Sequence, residues 1–442
     1  MSSLPERLMA LGPVECERLV SRVQALARRK KLFYKGKDCH PLSLVPLVLP
    51  RQVLPALKSV TRAVYRLQRR APRLHRDNAL GFAEIVKPQA RTESWLRQTL
   101  SPRTASSLLL RPDFGLALEN GIPKPFLYES NSLLLASLYN QPMAQEILES
   151  LPELGRRHGL KAPPDLLLLF KNWISPFCRP AQGEAIAFLE KLPVAGGFSE
   201  IPRIVDSLRK TAMSAVHADP RELELCKEKV FLGGKPIAFA YRDFSFEELG
   251  GPRNPSLKAF RRLWEEGRVA PGFAADFAPK SLLEVLTSSR YHALFSKREL
   301  SLFREHVPWT RAFGERRTES PEGKSVDLPE YVLKTRENLV LKPAWGAGGE
   351  RILIGPRAAP GKWREALGKA LERPGGFVVQ EYREGLKLPM AYLRQGRIRF
   401  KDCGAIIGVF FGGRGFGFAS RIGPGEIVNV ARGGAVCPVL FG

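Results

Sequence analysis

Hydrophobic positions recur along this chain with two different periods, and the period changes from stretch to stretch. Residues 1–105 read as mostly helical, with Val60, Val64 and Leu67 at the spacing of one helix face. Ser107 to Leu118 is apolar and extended, and Phe126 to Asn131 is a second short strand. Glu119-Asn120-Gly121-Ile122-Pro123 between them is a turn signal. From about 146 to 285 helical and extended stretches alternate. Asp165 to Trp173 predicts a buried strand, Ile201 to Met213 a helix, and Pro236 to Tyr241 a strand. Residues 296–306 predict a helix. Asn338 to Pro343, Arg351 to Ile354 and Gly376 to Tyr382 predict strands, with a helix over 361–372 between the last two. Ile398 to Phe411 and Gly417 to Val430 predict further strands, and Ser320 to Lys324 a loop. The pattern mixes α and β, and no internal repeat interrupts it.

The chain has 442 residues, enough for two or three domains. Four stretches emerge: a helical basic region at 1–105, a hairpin region at 106–145, an α/β stretch at 146–285, and a final α/β stretch at 286–442. Hydrophobic residues make up 44% and charged residues 26%, a globular balance that argues against disorder. No apolar run reaches bilayer length; Leu42 to Pro50 holds two prolines and stops at Arg51. Glu6 and Arg7 stand where a signal peptide would place its apolar core, so a cytoplasmic location is expected. Cys16, Cys39, Cys178, Cys226, Cys403 and Cys437 form no CxxC pair, which fits buried thiols rather than a metal cluster.

The formal net charge is +25 and it is uneven. Residues 1–110 alone carry 21 Lys+Arg against 7 Asp+Glu. Arg28-Arg29-Lys30-Lys31 and the run Arg66, Arg69, Arg70, Arg73, Arg76 are the densest parts. Such a surface suits nucleic acid, anionic lipid or an acidic substrate. Without aromatic interleaving or a nucleic-acid fold motif, a solvated helix face is the simpler reading.

Two spellings mislead. His75-Arg76-Asp77 and Asp113-Phe114-Gly115 match the catalytic and metal motifs of protein kinases. A kinase needs Asn five residues after its catalytic Asp, and Phe82 stands there. The cluster Gly412-Gly413-Arg414-Gly415-Phe416-Gly417 lacks GxGxxG spacing and predicts a hairpin turn.

Two constellations carry chemistry. Across an odd-length loop in the 107–131 hairpin, Asp113 faces Glu129 and Arg111 faces Asn131. Opposed residues point to the same side of a sheet, so a guanidinium, two carboxylates and an amide converge. Oxygens at that density suit Mg2+, and Arg111 beside them suits a terminal phosphate. A two-residue turn without a bulge would instead pair Asp113 with Tyr128 and turn Glu129 away. Downstream, Val340-Leu341-Lys342-Pro343 ends a strand with a lysine, and Trp345-Gly346-Ala347-Gly348-Gly349 follows. Glycines let backbone N–H groups approach phosphates, and no GK[ST] makes this a Walker A loop. Phe377-Val378-Val379-Gln380-Glu381-Tyr382 turns abruptly polar, as an edge offering hydrogen bonds to an adenine would.

This order, RxD and ExN first, then a lone lysine, VLKP with a glycine loop, and VVQEY, resembles the circularly permuted ATP-grasp family, which includes glutathionylspermidine synthetase-like ligases. The resemblance runs from about residue 107 onward. It implies an ATP-grasp fold with a helical N-terminal region and an inserted α/β domain. It implies ATP and Mg2+ as cofactors, with Asp113, Glu129 and Asn131 on the metal. It implies Arg111 on the γ-phosphate, Lys297 and Lys342 on ATP, and a flap of Gly346, Gly348 and Gly349. Gln380, Glu381 and Tyr382 would face the nucleotide. Arg421 would steady the transferring phosphoryl group, and Asn429 with Gly433-Gly434 resembles the closing segment. Ser132-Leu133-Leu134-Leu135 after the ExN departs from the family pattern.

The implied activity joins a small-molecule carboxylate to an amine, or a peptide, through an acyl phosphate. Phosphoryl transfer needs positioning and charge neutralisation more than a protein nucleophile, so the lack of a Ser/His/Asp set is no objection. Two alternatives remain at the level of sequence: a catalytically silent scaffold that binds nucleic acid or an anionic surface, and an ATP-grasp kinase.

Overall fold

The computed structural model describes residues 4–34, 38–99, 106–151, 154, 159–178, 180–194, 199–211, 213–346 and 348–442. The N-terminal region is helical but carries a short strand, β1 (Leu42–Ser43), that the apolar pattern did not separate. Its longest helix, α1 (Leu54–Arg76), buries Leu57, Val60, Val64, Leu67 and Ala71 along one face. The hairpin follows as β2 (Arg111–Glu119) and β3 (Ile122–Asn131).

An inserted α/β layer comes next. In it β4 (Ala185–Leu189), β5 (Ala215–Ala218), β6 (Lys235–Arg242) and β7 (Val269–Ala270) pair in parallel. Asp165 to Trp173 corrects the expected strand: Leu166–Ile174 is a helix. Its leucine run suits either element. The Asp165 carboxylate decides by accepting from the Leu168 N–H, an N-cap.

The small lobe starts with helix α2 (Lys297–His306), whose first turn is closed by a Ser296–Glu299 capping box. Four antiparallel strands build its sheet: β8 (Thr310–Ala312), β9 (Leu339–Pro343), β10 (Leu353–Ile354) and β11 (Phe377–Glu381). Their order is β8-β11-β9-β10. Helix α3 (Pro360–Leu371) covers one face through the fully buried Trp363. Leu339, Leu341 and Val379 point into this second core with Trp309 and Phe313. The period-two alternation therefore turns Val340, Lys342 and Gln380 to the other face.

The chain then returns to the hairpin with β12 (Lys387–Arg394), β13 (Arg397–Phe410), β14 (Gly417–Gly423) and β15 (Ala435–Cys437). The large sheet runs β12-β1-β15-β14-β13-β2-β3, and β12 also pairs β13, which closes its first five strands into a ring. β14 stops at Gly423, short of the strand expected to Val430. The Gly412–Gly417 cluster is the turn between β13 and β14. All six cysteines are free thiols. Among the described residues no helix is long and apolar enough to cross a membrane.

Candidate active site

The hairpin register combines a turn and a bulge. Glu119 pairs Ile122, so the loop is the two residues Asn120 and Gly121, with φ of 50° and 77°. Positive φ at both positions is the type I′ turn that the strand twist favours. The expected odd-length loop is thus corrected. The expected partners nevertheless meet: Asp113 pairs Glu129 and Arg111 pairs Asn131. The register shifts between Asp113 and Phe114, which leaves Tyr128 as the extra residue of a bulge. Gly115 makes the bulge possible, since a Cβ there would lie 2.4 Å from the Tyr128 ring.

The polar end of the hairpin is a closed charge network. The Asp113 carboxylate, 1% exposed, accepts from Arg111 Nε at 2.8 Å and Nη2 at 3.1 Å. It also accepts from Arg421 Nη2 at 2.8 Å and from the Asn131 amide at 3.1 Å. Burial pushes this carboxyl up, but the Arg111 and Arg421 guanidiniums together outweigh burial and hold it below its ordinary value. Gly408 on β13 gives Arg111 its room: a Cβ there would stand 2.7 Å from Arg111 Cδ. Both its oxygens already hold guanidiniums, so it anchors Arg111 and Arg421. Glu129 differs, pairing with Lys280 Nζ at 3.2 Å.

Across a cleft stands the small sheet. The cleft is lined by Asp113, Tyr128 and Glu129 from the hairpin, Lys342 and Gln380 from the small lobe, and Arg421 from β14. Gly348, Gly349, Glu381, Tyr382 and Asn429 also line it. Lys342 Nζ donates to Gln380 Oε1 at 2.5 Å and sits 5.3 Å from the Tyr128 ring centre. Burial lowers its pKa to about 8, opposed by Glu129 and assisted by Lys280. The glycine loop reaches the facing lobe: Gly348 O accepts from Arg432 Nε, and a Cβ at Gly349 would meet Ile427 at 2.3 Å. Ala347 of that loop lies outside the described residues.

No family model matches the sequence, and no curated protein matches it. Among solved structures, a glutathione synthetase-like effector from Globodera pallida, in its apo form, matches with a TM-score of 0.66. The match covers 97% of this chain and 97% of that chain, at 12% sequence identity. The two chains share a fold.

Within this shared fold, two expectations need correction. Lys297 is exposed on the first turn of α2 and does not line the cleft. The capping box makes it the first helical residue, and Glu299 of the same turn reaches Arg66 on α1. Helix α1 lies behind the hairpin, where Gln68 bonds Ser130, while Glu129 faces the cleft. The second correction concerns β11. It lies inside the small sheet, and the N–H groups of Glu381 and Tyr382 are already given to Trp309 O and Asn338 O. Gln380 likewise bonds both Lys342 and Thr310. All three residues nevertheless line the cleft.

Lys280 is the cation that pattern reading missed. Its Nζ donates to Gly346 O at 2.9 Å, and its N–H bonds Ala344 O, so it is clamped to the glycine loop. With Glu129 and Gly346 it walls off a second cavity, shared with Asn131, Ser132 and Trp345. Nothing in Pro279-Lys280-Ser281 marks it, because its partners lie about 65 residues or more away in either direction.

Proposed function

We propose that this protein is an ATP-dependent carboxylate–amine ligase of the ATP-grasp type, with its hairpin ahead of its nucleotide lysine in permuted order. The observation that carries the reading is the meeting of Glu129 and the Asp113-anchored Arg421 with Lys342 across one cleft. The cleft also offers apolar side chains to an adenine, among them Val340, Ile354, Ile406 and Ile427.

In the proposed reaction, a substrate carboxylate oxygen bonds to the γ-phosphorus of ATP. The bond from that phosphorus to the β–γ bridging oxygen breaks, and ADP leaves. An amine nitrogen then attacks the acyl carbon, the bond to phosphate oxygen breaks, and the amine proton passes to the departing phosphate. Lys342 neutralises phosphate charge from the small lobe and Arg421, held by Asp113, does so from the large one, while Arg111, bonded to Asp113 and to Ala136 O, holds Asp113 in place. The loop of Gly346, Gly348 and Gly349 excludes water from the acyl phosphate.

Among the described residues no group of three or more His, Cys, Asp or Glu side chains gathers to hold a metal. Mg2+ asks for less, one or two protein oxygens beside phosphate. Glu129 supplies a carboxylate. Asn131 turns its Nδ2 to Asp113 and Arg111 O, which leaves Oδ1 as an acceptor. When bound, Mg2+ would be held by Glu129 and Asn131 and would supply positive charge against the phosphates.

The test is calorimetric titration with Mg·ATP, then a screen of acids and amines for ADP release with hydroxylamine to trap the acyl phosphate. Binding with acid-dependent hydroxamate formation supports the ligase. ATP binding without any turnover would make the protein a silent scaffold, and phosphorylated acid formed without amine coupling would make it a kinase.

A further inference from the structure

The face of α1 turned away from the core has no place in the cleft chemistry. Lys58, Arg62, Arg66, Arg69, Arg73 and Arg76 follow one another at steps of three or four residues. That spacing puts them in one line, on the side opposite Val60, Val64, Leu67 and Ala71. All but the half-buried Lys58 are exposed. At roughly 1.5 Å rise per residue the line runs about 27 Å. Leu54–Arg76 contains no acidic residue. Among the described residues only two carboxylates answer these six cations: Glu299 pairs Arg66, and Asp77 serves both Arg73 and Arg76.

Two aromatic rings meet the stripe, Phe416 from elsewhere in the chain and Tyr65 from α1 itself. Arg62 and Lys58 lie 4.8 Å and 5.8 Å from the ring centre of Phe416, which the turn between β13 and β14 delivers. Arg69 lies 5.5 Å from that of Tyr65. Tyr65 does interleave the arginines, directly before Arg66, and corrects the expectation of no aromatic among them; Phe416 is distant in the chain. Lys297 and Arg298, exposed on the first turn of α2, flank the line where Glu299 meets Arg66.

We propose that this stripe binds the sugar–phosphate backbone of a nucleic acid, without regard to sequence and independently of the ligase reading. Arginine predominates, and its planar fork matches phosphate oxygens. A narrow line on a convex helix suits a rod-like polyanion better than a flat field of headgroups. Among the described residues the large exposed hydrophobics lie off this helix, so it offers no apolar anchor for a bilayer.

Fluorescence anisotropy with a labelled oligouridine of about 20 nucleotides, and with a duplex of similar length, tests the proposal beside sedimentation with phosphatidylserine vesicles. The full-length protein is expected to bind at least one nucleic acid at about 50 mM salt and to weaken steeply toward about 200 mM. The variant Arg62→Gln/Arg69→Gln/Arg73→Gln is expected to bind at least about tenfold more weakly. Its slope of log K against log salt should be shallower by about 2 for a single strand, from three lost contacts at about 0.7 each. The control Arg18→Gln/Arg28→Gln/Arg29→Gln, on another exposed helix face, should keep its affinity within about threefold. Melting curves check that both variants fold. Absence of nucleic-acid binding at low salt, equal losses in the two variants, or binding to vesicles alone would each overturn the proposal.

Discussion

The two walls of the cleft treat charge in opposite ways. On the large-sheet wall Asp113 is met by Arg111, Arg421 and Asn131, so two guanidiniums share one carboxylate before any ligand arrives. On the small-lobe wall Lys342 is buried beside a neutral amide, and its ammonium is held at a cost that lowers its pKa to about 8. One wall is finished geometry. The other is a positive charge with room for an anion. The first should govern stability and the second affinity, and substitutions can separate them.

Asp113→Asn should show the largest effect. It leaves two arginines without their shared counter-ion, and breaking a buried pair costs about 3–5 kcal/mol. Turnover should fall by about 10²–10³ through loss of arginine positioning. The pH dependence has a definite sign. Because the folded carboxyl titrates below its unfolded value of about 3.9, its stabilisation is complete above that pH and disappears as pH falls through the lower folded value. Acid melts should show this decline in the parent and lack it in the variant. A variant that melts like the parent would mean the wall is not a closed network.

Lys342→Met is expected to do the reverse. ATP affinity should drop by about tenfold or more, while melting stays level or rises, since a buried cation is removed. Calorimetry across pH sharpens the contrast. Parent affinity for Mg·ATP should decline as pH rises through about 8, and the variant should be flat. The same lowered pKa means parent stability gains between about 8 and 10.4, where the unfolded chain holds more protons.

Gly115→Ala probes the bulge that joins the walls. Its Cβ would invade the Tyr128 ring, an overpacking that costs about 1–3 kcal/mol, and Glu129 should lose its alignment with Asp113. Thermal melts and Lys280-dependent protection of Glu129 from carbodiimide labelling would reveal both losses. Lys297→Ala should do least: stability within about 0.5 kcal/mol and unchanged ATP affinity. A clear loss of ATP binding there would return Lys297 to the cleft.

The hairpin was legible because strand alternation and pairing depend on near neighbours. Even so, the partners of Asp113 were right for an incomplete reason: the loop is one residue shorter than expected and the bulge at Tyr128 restores the count. Gly115 was the visible hint, a glycine inside an apolar strand. Lys342 was legible as a strand terminus. Lys297 was not excluded by spelling, because only its capping box and the packing of α2 on α1 turn it outward. Lys280 was invisible, its partners Glu129 and Gly346 being chosen by tertiary contact alone. The leucine run at 166–169 shows the same limit at the level of elements, since apolar runs without alternation fit strand or helix.

The ring of the large sheet has a consequence for biosynthesis. Val436 pairs Leu42, and Val439 to Phe441 pair Leu47 to Leu49 in parallel. These contacts join segments about 390 residues apart, the kind of pairing that slows folding most. At ribosomal rates of roughly 5–20 residues per second, the apolar stretch at 42–49 waits about 20–80 s for its partner. During that interval it is an unpaired strand in a crowded cell. Pro46 within that stretch and Pro50 just after it are thus placed where a nascent chain most needs a brake on wrong pairing.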